Sequence, residues 1–232
     1  MKRVRESGLD VVRCFATVSL PVLHSFMYAG LYSVSPNECF AISYVLMFSL
    51  RWIVYCVVPL FMMLTGYLNE STKIDVSYLK KILPIVCSYI VISIFAYIIV
   101  MDNTNIKLVD IIIALLNYTA DPYSWYVEMY IGLFLLAPFL NTLWRVLERN
   151  HRMHLMILMI TMSFATQINN LLLYQGNYVK LVPAWWAGIY PLGYFFIGKW
   201  IKEYRPHPQK IKLIVVGGYG NSRRHNNMVA FY

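Results

Sequence analysis

The 232 residues are 59% apolar and only 13% charged, where soluble domains run at roughly 45–50% and 25%, so an ordinary water-soluble domain is excluded. The net charge of +9 sits in short clusters between long apolar blocks, without the basic stripe and interleaved aromatics of a nucleic-acid-binding surface, so nucleic acid is excluded as a partner. Four scattered cysteines, Cys14, Cys39, Cys56 and Cys87, give neither a disulfide framework nor zinc-ligand spacing.

In chain order, six apolar blocks approach the roughly 20 residues that a helix needs to cross a bilayer. They cover residues 9–32, 41–68, 82–101, 125–144, 153–173 and 184–201. Helices are expected, because lipid offers no partner to an unpaired backbone group. The expected fold is therefore all-α, a polytopic transmembrane bundle of about six spans. The first block follows the basic start Met1-Lys2-Arg3-Val4-Arg5 and carries Asp10, Arg13 and His24 without a small-residue cleavage site. It is read as a retained span, not a signal peptide. Pro59 and Pro84 are expected to break little. Between the third and fourth spans, residues 107–118 hold a run too short to cross, read as an interfacial or re-entrant helix on the outer side. After residue 203 the apolar stretch 210–216 resembles the start of a seventh span, then gives way to Gly217-Gly218-Tyr219-Gly220-Asn221-Ser222-Arg223-Arg224. The chain thus divides into a membrane domain, 1–203, and a segment 204–232 expected to be a cytoplasmic tail or a truncated or frameshifted remnant.

Charge sets the orientation. With the N-terminus inside, the inner segments hold Lys2, Arg3, Arg5, Lys73, Lys80, Lys81, Arg145, Arg149, Arg152, Lys199, Lys202, Arg205, Lys210 and Lys212, and the outer loops only Lys107 and Lys180. That bias follows the positive-inside rule and predicts a multi-pass inner-membrane protein with a cytoplasmic N-terminus. Tyr123, Trp125, Tyr126, Trp185 and Trp186 fall at expected outer edges, and Trp144, Trp200 and Tyr204 at inner ones.

Ionisable groups inside spans are costly, by roughly 2.5–3.5 kcal/mol at the helix centre, and mark function by default. Arg13 and His24 are eleven residues apart, so on a helix they differ by about 20° around the axis and about 16 Å along it. Asp10 reaches Arg13 at i,i+3. One polar stripe therefore runs from the inner edge into the outer half of the first span. Arg51 lies in the second span at a depth similar to that of His24, which allows the two to share a cavity. Plainer readings stand beside these. Arg13 can snorkel to the inner surface, His24 can bond a neighbouring helix, Arg51 can belong to a structural ion pair, and Glu128 can be an interfacial carboxylate.

Three segments carry a resemblance. Gly8-Leu9-Asp10-Val11-Val12-Arg13 followed by His24 is similar to the opening motif of the membrane-bound acyltransferase-3 family. Arg51 followed by Pro59-Leu60-Phe61-Met62-Met63-Leu64-Thr65-Gly66-Tyr67-Leu68 resembles its second motif, with Thr65 where serine is usual. Ser124-Trp125-Tyr126-Val127 through Gly132-Leu133-Phe134-Leu135-Leu136-Ala137-Pro138 resembles its third, and Tyr194-Phe195-Phe196-Ile197-Gly198 adds a fourth, weaker match. Family members normally have more spans than the six read here. The resemblance implies an enzyme that moves an acyl group, usually acetyl, from acyl-CoA on the cytoplasmic side to a hydroxyl of a cell-surface glycan. Acyl-CoA is then a donor substrate, and no permanently bound cofactor is expected. It implies His24 as base or nucleophile and Arg51 as stabiliser of the oxyanion or acyl carbonyl. Arg13, oriented by Asp10, would hold the CoA end, and Trp125 and Tyr126 the sugar. The other readings are an inactive fragment of such an enzyme and a non-enzymatic polytopic transport protein.

Overall fold

The computed structural model describes residues 6–28, 41–100, 107–121, 123–171, 173–174, 177–178 and 180–204. The connection between the first two expected spans and the segment after 204 lie outside the described residues. The remainder is helical: α1 (Ser7–Tyr28), α2 (Ile42–Val54), α3 (Val57–Leu68), α4 (Val76–Leu79), α5 (Leu83–Val100), α6 (Leu108–Leu116), α7 (Trp125–Val146), α8 (Arg149–Ala165), α9 (Ile168–Leu171) and α10 (Tyr190–Tyr204). The strands among the described residues form a two-residue antiparallel pair, Leu173–Tyr174 with Asn177–Tyr178. The protein is an all-α polytopic helical bundle. Its outer surface is apolar: Ile42, Ile99 and Val146 are each more than three-quarters exposed, which suits hydrocarbon and not water.

Among the described residues, four stretches are long and apolar enough to cross a bilayer: Ser7–Phe26, Ile42–Leu68, Val76–Ile99 and Trp125–Val146. Helices also occupy the fifth and sixth expected positions, but they are shorter. The 17 residues of α8 reach about 25 Å, against a hydrocarbon core of about 30 Å. The 15 residues of α10 continue from a 3₁₀ turn, Ala184–Ile189, and the two together reach about 35 Å. Residues 108–116 form α6 as an isolated nine-residue helix, as its length predicts.

Pro84 breaks nothing, lying in the first turn of α5, but Pro59 acts more strongly than expected. The second span is broken between α2 and α3, with Tyr55 and Cys56 outside both helices. Pro59 has no N–H to give to the Tyr55 carbonyl and its ring crowds that turn. In α7, Pro138 leaves the Phe134 carbonyl without its helical donor, and the Tyr78 hydroxyl donates to that oxygen at 2.5 Å. A buried tyrosine from a distant helix thus satisfies a backbone group that lipid could not. The same hydroxyl accepts from Asn69 Nδ2 at 3.1 Å.

The tightest packing is between α3 and α10. A β-carbon at Gly66 would strike the Phe195 carbonyl, and one at Gly198 would strike the Met63 carbonyl. The glycines therefore let two antiparallel backbones touch, the usual device where lipid provides no hydrophobic drive between helices. Met62, Phe195 and Phe196 lie fully buried at this crossing, joined by Leu133, Ala137 and Trp144 of α7.

Charge gathers at one end of the bundle, where the start of α1 and α8 meets the finish of α3, α7 and α10. Tyr67 donates to Glu6 at 2.9 Å, Lys202 pairs with Glu70, and Arg152 pairs with Glu203 at 2.5 Å. Trp144 Nε1 donates to Glu203 at 2.8 Å, and Arg152 Nε to the Trp144 carbonyl at 2.7 Å. Trp144 is therefore a buried strut and not a headgroup anchor. Lys199, counted with the inner segments from the sequence, lies buried within α10 and donates to the Asn69 carbonyl.

Candidate active site

Two cavities open between the helices. The one remote from the charged end, called outer after the orientation expected from the sequence, has a volume of about 720 Å³ and lies between α1, α3, the start of α7, the finish of α8 and the 3₁₀ turn before α10. His24 reaches it from α1 beside Tyr123, with ring centroids 3.8 Å apart. The Nδ1 atom of His24 is buried with no hydrogen-bond partner among the described residues. Such an orphan is rare, and function is one of its ordinary explanations. Trp125 and Tyr126 line the same cavity, Trp125 nearly half exposed at its rim and Tyr126 deeper.

The inner cavity, of about 940 Å³, lies toward the charged end. Arg13 of α1 and Lys81 of the 3₁₀ turn Lys80–Ile82 supply its positive charge, Glu70, paired with Lys202, is its one carboxylate among the described residues, and Thr65, Asn69 and Ser71 are among its neutral polar lining. Asp10 accepts from Arg13 at 3.1 Å, the i,i+3 pairing that helix geometry anticipates. Lys81 stands over the Tyr78 ring at 5.5 Å.

Arg51 is not brought to either cavity. Its guanidinium lies 5.0 Å over the Tyr55 ring and 5.5 Å from that of Trp52. Tyr55, not Arg51, faces the His24 cavity. Equal depth along two spans therefore does not place these two side chains together. Glu128 is exposed and lines neither cavity.

A model of the acyltransferase-3 family, an acyltransferase domain, matches residues 6–218. The chain belongs to that family. It is accordingly a membrane acyltransferase. No curated protein and no solved structure matches it.

Several residues at or near these cavities are not singled out by the sequence. Tyr123 looked like an interfacial aromatic, and nothing local says that it packs on His24. Lys81 counted only as an inner charge. Asn141 lines neither cavity but is buried in α7 and donates to the carbonyl of Ser71, a lining residue, at 2.7 Å; a polar residue within an apolar span is its signal. Among the described residues no group of His, Cys, Asp and Glu could hold a metal ion.

Proposed function

We propose that this acyltransferase moves a short acyl group, acetyl in the simplest case, from acyl-CoA at the charged, cytoplasmic end to a hydroxyl of a cell-surface glycan at the other. The observation that carries this reading is the pair of abutting cavities, a basic one holding Arg13 and Lys81 and an outer one holding His24. Positive charge suits the CoA phosphates. An imidazole beside an open outer cavity suits a hydroxyl acceptor. His24 takes the proton from the acceptor hydroxyl, whose oxygen attacks the thioester carbonyl; the C–S bond then breaks and CoA leaves as the thiol once protonated. Trp125 offers its face to the sugar. Arg51 acts through Tyr55 as a positioning residue, since its guanidinium stands behind that ring and not in the cavity.

Two measurements test the frame. A cysteine placed at Asn150, in a background without other cysteines, is expected to resist an impermeant thiol reagent added from outside, because the positive-inside rule puts the α7–α8 connection in the cytoplasm. Labelling from outside would invert the orientation and put the basic cavity on the wrong side for acyl-CoA. Arg13→Ala is expected to weaken acyl-CoA binding by about tenfold, the effect of losing roughly one charge-assisted contact. Arg13→Lys recovers only part of it, because an ammonium cannot copy the guanidinium fork. Unchanged donor affinity in Arg13→Ala would remove Arg13 from the CoA site.

A further inference from the structure

Phe61 of α3 and Tyr126 of α7 line both cavities. Their rings meet edge to face, with centroids 6.3 Å apart and planes at 61°. The partition between the two cavities therefore includes this pair of aromatic side chains. Its two halves are supported differently. Tyr126 is the first rung of an aromatic ladder: it stacks on Tyr130, Tyr130 stacks on Phe134, and Phe134 stacks on Tyr78 at 4.3 Å. The i,i+4 spacing of 126, 130 and 134 puts these three rungs on one face of α7. Phe61 has no such ladder among the described residues, and stands on α3 next to Met62, which is fixed in the α3–α10 crossing.

We propose that the Phe61–Tyr126 pair selects the acyl group by length, a role that rests on the two-cavity reading of the reaction above. A donor whose phosphates lie beside Arg13 and Lys81 occupies the inner cavity. Its thioester carbon must meet an acceptor hydroxyl activated by His24, which lines the outer one. The acyl group crosses between the two rings. Rings already in edge contact part only slightly, and Tyr126 is braced by its ladder. Each added methylene must displace more aromatic edge, so short acyl groups pass and long ones are held back. Phe61 and Tyr126 are positioning residues in this scheme, since they exchange no proton and form no bond with the acyl group.

The test uses membranes carrying the wild-type chain or Phe61→Ala, Phe61→Leu or Phe61→Trp. Each receives radiolabelled acetyl-CoA, butyryl-CoA or octanoyl-CoA, and ester-bound label is measured in the envelope glycan fraction of the host. The ratio of octanoyl to acetyl transfer is expected to rise at least about tenfold in Phe61→Ala, the scale of discrimination that a few methylenes allow. Phe61→Leu should fall between, and Phe61→Trp should lower butyryl relative to acetyl transfer. A merely structural role would depress all three donors alike. A ratio that stays flat across the variants while the wild type transfers acetyl overturns the selector and leaves the acyl-transfer reading standing. If the wild type transfers none of the three groups, both fall together. Should Phe61→Ala fail to accumulate, Phe61→Leu and Phe61→Trp decide the matter by the same ratio.

Discussion

His24→Ala is expected to lower acyl transfer by about 10²–10⁴-fold, the usual contribution of a positioned general base, while acyl-CoA binding stays near the wild-type value. The two effects separate because the structure separates the groups. His24 faces the outer cavity beside Tyr123, and the charges assigned to the donor, Arg13 and Lys81, line the inner one. Removing the imidazole also removes a buried nitrogen without a hydrogen-bond partner among the described residues, so the variant should insert and accumulate at least as well as the wild type. The check is a paired measurement in the same membranes: transfer rate per folded molecule, and affinity for acyl-CoA. Transfer within a few-fold of wild type at normal expression would make His24 a structural residue packed on Tyr123. Loss of binding together with transfer would put it in the donor site instead.

Gly66→Ala and Gly198→Ala are each expected to destabilise the protein by at least about 3 kcal/mol, the upper end of overpacking costs. The magnitude follows from what the new methyl group meets. At Gly66 it is the Phe195 carbonyl and at Gly198 the Met63 carbonyl, both backbone atoms that cannot rotate aside. Either substitution forces α3 and α10 apart and opens the core of Met62, Phe195 and Phe196. Gly132→Ala in α7 is the control. A β-carbon there has nothing within 4 Å, and alanine in a helix interior is favoured over glycine by about 0.5–1 kcal/mol. The readout is the midpoint of thermal aggregation in detergent. If Gly66→Ala melts with the wild type, the two backbones are not in contact. The opposed signs at Gly66 and Gly132 keep a general effect of the extra methyl group from imitating the result.

Much of the architecture was present in the sequence because it depends on local quantities. The length of an apolar block, measured against bilayer thickness, gives the all-α polytopic fold, and the 3.6-residue turn puts Asp10 against Arg13. The segments around Asp10, Arg13, His24, Arg51 and Trp125-Tyr126 pointed to the family that the match over residues 6–218 establishes. Length alone also anticipated α6 as too short to span. What the sequence left undecided is how each helix is rotated about its own axis and which remote helix it faces. Depth can be counted along a span, but a shared cavity needs two spans to turn toward each other, and that is fixed by packing far from both residues. Hence Arg51 lies behind Tyr55 while Tyr123, more than ninety positions from His24 in the sequence, packs on the imidazole. The same reason explains why Tyr78 serves the carbonyl that Pro138 leaves open, and why Gly66 and Gly198 mark a crossing. Each of these needs a partner that only the assembled bundle supplies, since a membrane interior makes an unmatched backbone group or a gap between helices costly.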